Sequence, residues 1–354
     1  MANQETQIVD DILIKSRRRL LTLGATSLAG MVAAAALPKE AYAATTYSDN
    51  DILNFALNLE YLEANFYYQA AFGTTIDVAN AASTAAGAPV ITLNQTVGTK
   101  GTVTGGSKVP FTSVQVGSYA VETAVEEGKH VRILQTALSG LAVAQPAINI
   151  SASPGGAWPT LATAAGVGGA TTASPSTFSP YTSDANFLIG AYVFEDVGVT
   201  AYHGAASLIT SSSNLSTAAG ILAVEAYHAG LIRTSITYLD PANAAGYLTI
   251  TGQISALRAK LALAGLLGVA GGVYDSNPDD FGLAQFNVQL AGGAATPATR
   301  ITDADATNVV AFARNTTQVL NIVTGGGAVN TAGTAQVSPA TGVFFPAGLN
   351  GLFK

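Results

Sequence analysis

Apolar residues recur at helical spacing in NDILNFALNLEYLEANFYYQAAF, Asn50 to Phe72, and the same rhythm returns in three later segments. The first segment predicts a helix with Asp49 or Asn50 placed to cap its start. SVQVGSYAVETAVEEGKHVRILQTALSG predicts a second, with Ser113 as cap and Gly140 as stop. DANFLIGAYVFEDVGVTAYHGAASLI predicts a third, and after the connector TSSSN comes a fourth, LSTAAGILAVEAYHAGLIRTSITYL, closed by Asp240-Pro241. So short a link makes the third and fourth helices antiparallel neighbours.

Between these segments the pattern breaks. Residues 73–111 turn to Gly, Thr, Val and Asn and read as an insertion, in which PVITLNQTVGTKGTVTGG has the pattern of a short hairpin. Residues 141–180 read as a second insertion, all loop. Beyond Pro241, QISALRAKLALAGLLG predicts a fifth helix and TDADATNVVAFARNTTQVLNIVTGGG a sixth behind an Asp/Thr cap; the rest, including the closing FFPAGLNG, reads as loop. The organisation expected is a leader over 1–43, a four-helix bundle over 44–245 and an extension of mixed loop and helix over 246–354 packed on the bundle.

The leader reading rests on SRRRLLTLGATSLAGMVAAAALPKEAYA, where arginines precede an apolar run with a small-residue exit. Ser16-Arg17-Arg18-Arg19-Leu20-Leu21 resembles a twin-arginine signal, with Ala41-Tyr42-Ala43 as cleavage site. It predicts a periplasmic or secreted protein with no membrane attachment after cleavage. The chain has no cysteine, which excludes disulfides, thiolate metal sites and thiol nucleophiles. Without residues 1–43 ten basic and eighteen acidic residues remain, a net of −8, which disfavours nucleic acid as a partner.

Against this background the titratable residues are unevenly placed. Beyond residue 43 there are seven glutamates (Glu60, Glu63, Glu122, Glu126, Glu127, Glu195, Glu225) and three histidines, all on the four predicted helices. The second helix carries Glu127-Gly128-Lys129-His130 and the fourth Glu225-Ala226-Tyr227-His228, so each presents a carboxylate and an imidazole on one face. On the first and third helices Glu60 and Glu195 are each followed seven residues later by a tyrosine, Tyr67 and Tyr202. A helix pair is thus used twice, in the same order. From Val197 to Ile232 the only charged residue is Glu225, so that helix has no ordinary solvated charged face. An unpaired buried carboxylate costs several kcal/mol or takes up a proton, and divalent cations remove the problem.

One Glu from each of two helices plus Glu-x-x-His from each of two others resembles the ferritin-like carboxylate bundles, which hold two iron or manganese ions. The resemblance covers about residues 48–240 apart from the insertions, and the Gly- and Ala-rich exported character is similar to the branch that includes desiccation-related proteins. It implies an all-α, ferritin-like four-helix bundle with two divalent ions, Fe or Mn, held by Glu60, Glu127, His130, Glu195, Glu225 and His228, with Glu127 and Glu225 as bridges. Tyr67 and Tyr202 are candidate catalytic residues, hydrogen-bonding the ligands or being oxidised, or else core aromatics. Glu63 is an alternative ligand, a supporting group or a surface charge. Glu122 and Glu126 read as solvated charges, His203 as packed or supporting, and Asp196, about 100° round the helix from Glu195, as pointing elsewhere. Three functions fit: a redox enzyme acting on oxygen or peroxide in oxidative or desiccation stress, a structural or protective exported protein in which metal only stabilises the bundle, and an iron-storage cage subunit, which the long insertions disfavour. A homo-oligomer is compatible with each.

Overall fold

The computed structural model describes residues 47–77, 91–264, 280–305, 307–325 and 342–353. The leader expected over residues 1–43 lies outside them. The first helix, α1 (Asp49–Phe72), begins at Ser48, whose hydroxyl accepts the Asp51 N–H while the Asp51 carboxylate accepts the Ser48 N–H at 2.9 Å. The cap is therefore Ser48. Asp49 instead accepts the N–H groups of Thr210 (2.8 Å) and Ser211 (2.9 Å), holding a distant connector. Gly73, at φ 74°, closes α1 in the left-handed conformation that a side chain would strain.

After α1 come β1 (Val103–Gly105), α2 (Val114–Leu138), β2 (Ile148–Ile150), α3 (Ala157–Ala165), α4 (Asp184–Ala206) and α5 (Ser212–Leu239). The remainder forms α6 (Tyr247–Ala264), β3 (Gln285–Gln289), β4 (Ala295–Thr299) and α7 (Thr316–Val323). Ser113, Ser183 and Ser211 cap α2, α4 and α5 by accepting from N–H groups three residues on. α1 packs along α2 and α4 along α5, and the two pairs face one another. Asn54 near the start of α1 bonds the carbonyl of Leu141 just beyond α2, which makes that pair antiparallel. The expected four-helix bundle is the observed one. α5 is long and apolar enough to cross a membrane by length and composition alone. Here it packs along α4 and turns Glu225, His228 and Arg233 inwards.

The two insertions depart from expectation. No hairpin forms within residues 73–111 among the described residues; β1 pairs in parallel with β2 of the other insertion, and Val97 bridges Val143. The second insertion is not all loop, because α3 brings Trp158 into the core against Phe66, Phe194 and Phe344. Burying one large aromatic stabilises by about 1.5–3 kcal/mol, enough to order a short helix that propensity alone would not.

The extension differs too. Beyond α6, helix among the described residues is confined to α7, whereas the sixth predicted helix was expected to start near Thr302. The preceding chain lies across α4: the Arg314 N–H donates to the Thr200 carbonyl at 3.0 Å, and a Cβ on Gly204 would come 1.9 Å from the Arg314 carbonyl oxygen. Backbone bonded outward to a neighbouring helix is not available for its own helical ladder. Residues 285–299, read as loop, form an antiparallel hairpin.

Side chains anchor the extension through a buried ionic network. Asp196 accepts from Arg233 (2.9 Å) and Arg258 (3.0 Å), and Asp280 from Arg258 (2.8 Å) and Arg314 (2.7 Å). The closing FFPAGLNG returns to α1: Phe344 and Phe345 are buried, and the Asn350 N–H donates to Asn58 at 2.9 Å.

Candidate metal centre

Glu60, Glu127, Glu195 and Glu225 project from α1, α2, α4 and α5 into the bundle interior, where none is more than 1% exposed. His130 and His228 stand one turn beyond Glu127 and Glu225 on the same faces and are 7% and 4% exposed. The six side chains form two overlapping groups. Glu60, Glu127, His130 and Glu225 offer ligand atoms within 4.8 Å of one another, and so do Glu127, Glu195 and His228. Only Glu127 belongs to both; Glu225, expected from the resemblance as a second bridge, stands in the first alone.

In the first group Nδ1 of His130 lies 3.3 Å from Glu60, 3.4 Å from Glu127 and 3.5 Å from Glu225. In the second, Nδ1 of His228 lies 3.1 Å from Glu127 and 3.2 Å from Glu195. Eight buried atoms of these residues have no hydrogen-bond partner: Oε2 of Glu60 and Glu195, both carboxylate oxygens of Glu127 and Glu225, and Nδ1 of both histidines. Buried polar atoms are almost always satisfied. A cluster of orphaned oxygens and imidazole nitrogens turned towards one another is the donor set that iron and manganese take, so the residues present fit such ions.

The electrostatics describe the same demand. Burial, opposed by His130, brings the Glu60 carboxyl up to about 7, and burial raises Glu195 and Glu225 as well. Glu127 goes the other way: its burial is outweighed by His130 and His228, which hold it below the usual carboxylate range. Burial would make both histidines harder to charge, yet Glu127 and Glu60 around His130, and Glu195 beside His228, push them well above the ordinary histidine range. The buried carboxylates thus draw positive charge to the centre, a demand that bound cations would meet in place of protons.

Two tyrosines bond two of these carboxylates. Tyr67 on α1 donates to Oε1 of Glu195 on α4, and Tyr202 on α4 donates to Oε1 of Glu60 on α1. Each carboxylate keeps Oε2 free towards the centre. Glu126, read from sequence as a solvated charge, also has a partner: Nε2 of His228 lies 2.8 Å from its carboxylate, with the Glu126 side chain 37% exposed. Such a pair fixes the proton on Nε2 and leaves Nδ1 free for a metal. No sequence signal marked it, since the partners stand on different helices.

The remaining candidates divide. Glu122 is exposed. Glu63 is buried near the centre but belongs to neither ligand group. His203 lies outside both groups, its Nδ1 3.1 Å from the Phe312 carbonyl. Asp196 is turned to the arginines of the ionic network.

Comparison with known proteins matches residues 48–238 to the family described as ferritin-like domain. A desiccation-related protein, PCC13-62 of Craterostigma plantagineum, is 32% identical over 218 residues, covering 60% of this chain and 62% of that protein. A ferritin-like catalase, Nec2 of Nesocodon mauritianus, is 28% identical over 223 residues, covering 62% and 64%. The chain therefore spans less than two thirds of the length of either relative. No solved structure matches it significantly.

Proposed function

Because this chain belongs to the ferritin-like domain family, we propose that it holds two divalent ions, iron or manganese, and uses them on dioxygen or peroxide in oxidative or desiccation stress. The observation that carries this reading is the set of eight orphaned donor atoms, arranged as two groups that share Glu127. Glu60, Glu127, His130 and Glu225 would hold one ion, and Glu127, Glu195 and His228 the other. When bound, paired redox ions supply electrons to or accept them from an oxygen–oxygen bond. The protein's part is positional: Tyr67 and Tyr202 orient two carboxylates, Glu126 orients His228, and the packed aromatic core limits access of bulk water. The catalase named among the relatives favours peroxide over other oxidants. The arginine-bearing leader supports export through the twin-arginine route, and that route, which carries folded proteins, suits one loaded with metal before it leaves the cell.

A specific observation favours a second, structural reading. Each group takes ligands from both helix pairs, so bound ions would tie α1 and α2 to α4 and α5 and add their binding energy to folding. Metal analysis of protein from its native compartment, followed by oxygen and peroxide turnover of wild type and Glu127→Ala, separates the two. About two ions per chain, with turnover abolished in Glu127→Ala, is the expected result. Bound metal without turnover in the wild type would leave the structural reading.

A further inference from the structure

A cavity of about 60 Å³ lies where α1, α3, α4, α6 and α7 meet, walled by Trp158, Phe178, Ile189, Phe194, Ile254 and Phe344. Two more of its wall positions border the metal centre. Gly198 is one: a Cβ there would stand 2.1 Å from Oε2 of Glu225, so this wall residue packs directly against that carboxylate. Glu63 is the other, buried one turn beyond Glu60, with no hydrogen-bond partner among the described residues. At Ala165 and Val167 the wall is half-buried, which gives the cavity an outer end.

We propose that this cavity is a dioxygen compartment serving the metal centre, holding the gas on its way in as substrate or on its way out as product. The inference rests on the function proposed above. Size and chemistry select the occupant. A single water needs about 10–15 Å³ of such space, so there is room for a molecule of very few heavy atoms. A water or a peroxide also needs two or more polar partners, and an apolar cavity without them stays dry and takes up neutral apolar guests. The charged side chains on this wall are Glu63 and Arg258; Arg258 is committed to Asp196, Asp280 and the Tyr192 carbonyl, which leaves the Glu63 carboxyl as a single polar group where a water needs two or more. Charged substrates are excluded by the same walls.

The test uses the full chain, with xenon as probe and then dioxygen itself. Xenon-pressurised crystals should show the gas against Trp158 and Phe194 with or without metal, and dissolved oxygen should broaden the methyl resonances of Ile189 and Val197 in metal-free protein. Ala162→Phe, filling the cavity from α3, should abolish both signals and leave metal content unchanged; Ala165→Leu at the outer end serves if that variant fails to fold. With oxygen as substrate, the filled variant should show a KM for oxygen raised several-fold. With oxygen as product, its release from peroxide should slow several-fold at unchanged KM for peroxide. Ordered water in place of xenon, or a filled variant that excludes gas yet turns over at wild-type rates, overturns the compartment alone. Metal-loaded wild type that takes up both gases but turns over neither oxygen nor peroxide overturns the proposed function and the compartment's role with it.

Discussion

The hydroxyl of Tyr67 on α1 donates to the carboxylate of Glu195 on α4, and seven residues along α4 from that glutamate Tyr202 returns the same bond to Glu60. The exchange is reciprocal, so each carboxylate is oriented by the opposite helix pair. On the proposed two-ion reading, Tyr67→Phe should weaken binding of the ion that Glu195 and His228 would hold, and Tyr202→Phe that of the ion that Glu60 and His130 would hold, each by roughly 10–100-fold. Titration calorimetry of the two single variants checks this; equal loss at both positions in either variant would contradict it.

Glu126 stands behind His228, and among the described residues His130 has no such carboxylate partner. Glu126→Gln should lower affinity for the ion at His228 by roughly 10–100-fold and leave the other position near wild type. The side chain is partly exposed, so thermal stability of the metal-free protein should move by about 0.5 kcal/mol or less. Equilibrium dialysis with one and then two equivalents of metal reads the asymmetry.

Gly198 is required by the approach of Glu225. Elsewhere in a helix Gly→Ala stabilises by about 1 kcal/mol, but here the added methyl would stand 2.1 Å from a carboxylate oxygen. Gly198→Ala should therefore displace Glu225, cost the ion at the first group and lower the melting temperature. A variant that melts higher and binds two ions would show that Glu225 has room to move.

Asp303 gives the extension a pH dependence. Burial, then the neighbouring Asp196 charge, brings its carboxyl up to about 7 despite Arg233. Its ordinary value is about 3.9. A folded value above the unfolded one means that the folded protein binds more protons between these limits, so stability falls as pH rises through that window. Asp303→Asn keeps an acceptor for the Phe281 N–H and removes the penalty. Its advantage in melting temperature should be absent near pH 3, grow between pH 4 and 7 and stay constant above. An advantage that shrinks with rising pH would reverse the assignment.

What the sequence by itself determined is what repeats along a single helix: four apolar segments, a glutamate on each, and Glu-x-x-His on two of them. A period of 3.6 residues writes a shared face into spacing, so a carboxylate and an imidazole three apart are side by side before any packing is known. The tertiary structure alone decided which helices exchange partners. Tyr67 with Glu195, Glu126 with His228 and β1 with β2 join residues whose pairing no local spacing records. It also overrode local signals. Trp158 ordered a helix in a segment with a loop's composition, and the contact with α4 at Thr200 and Gly204 held residues near Arg314 out of the helix that their capping pattern predicted. Propensity is worth tenths of a kcal/mol per residue, whereas one buried aromatic or one backbone committed to a neighbouring helix is worth more, so packing settles such segments.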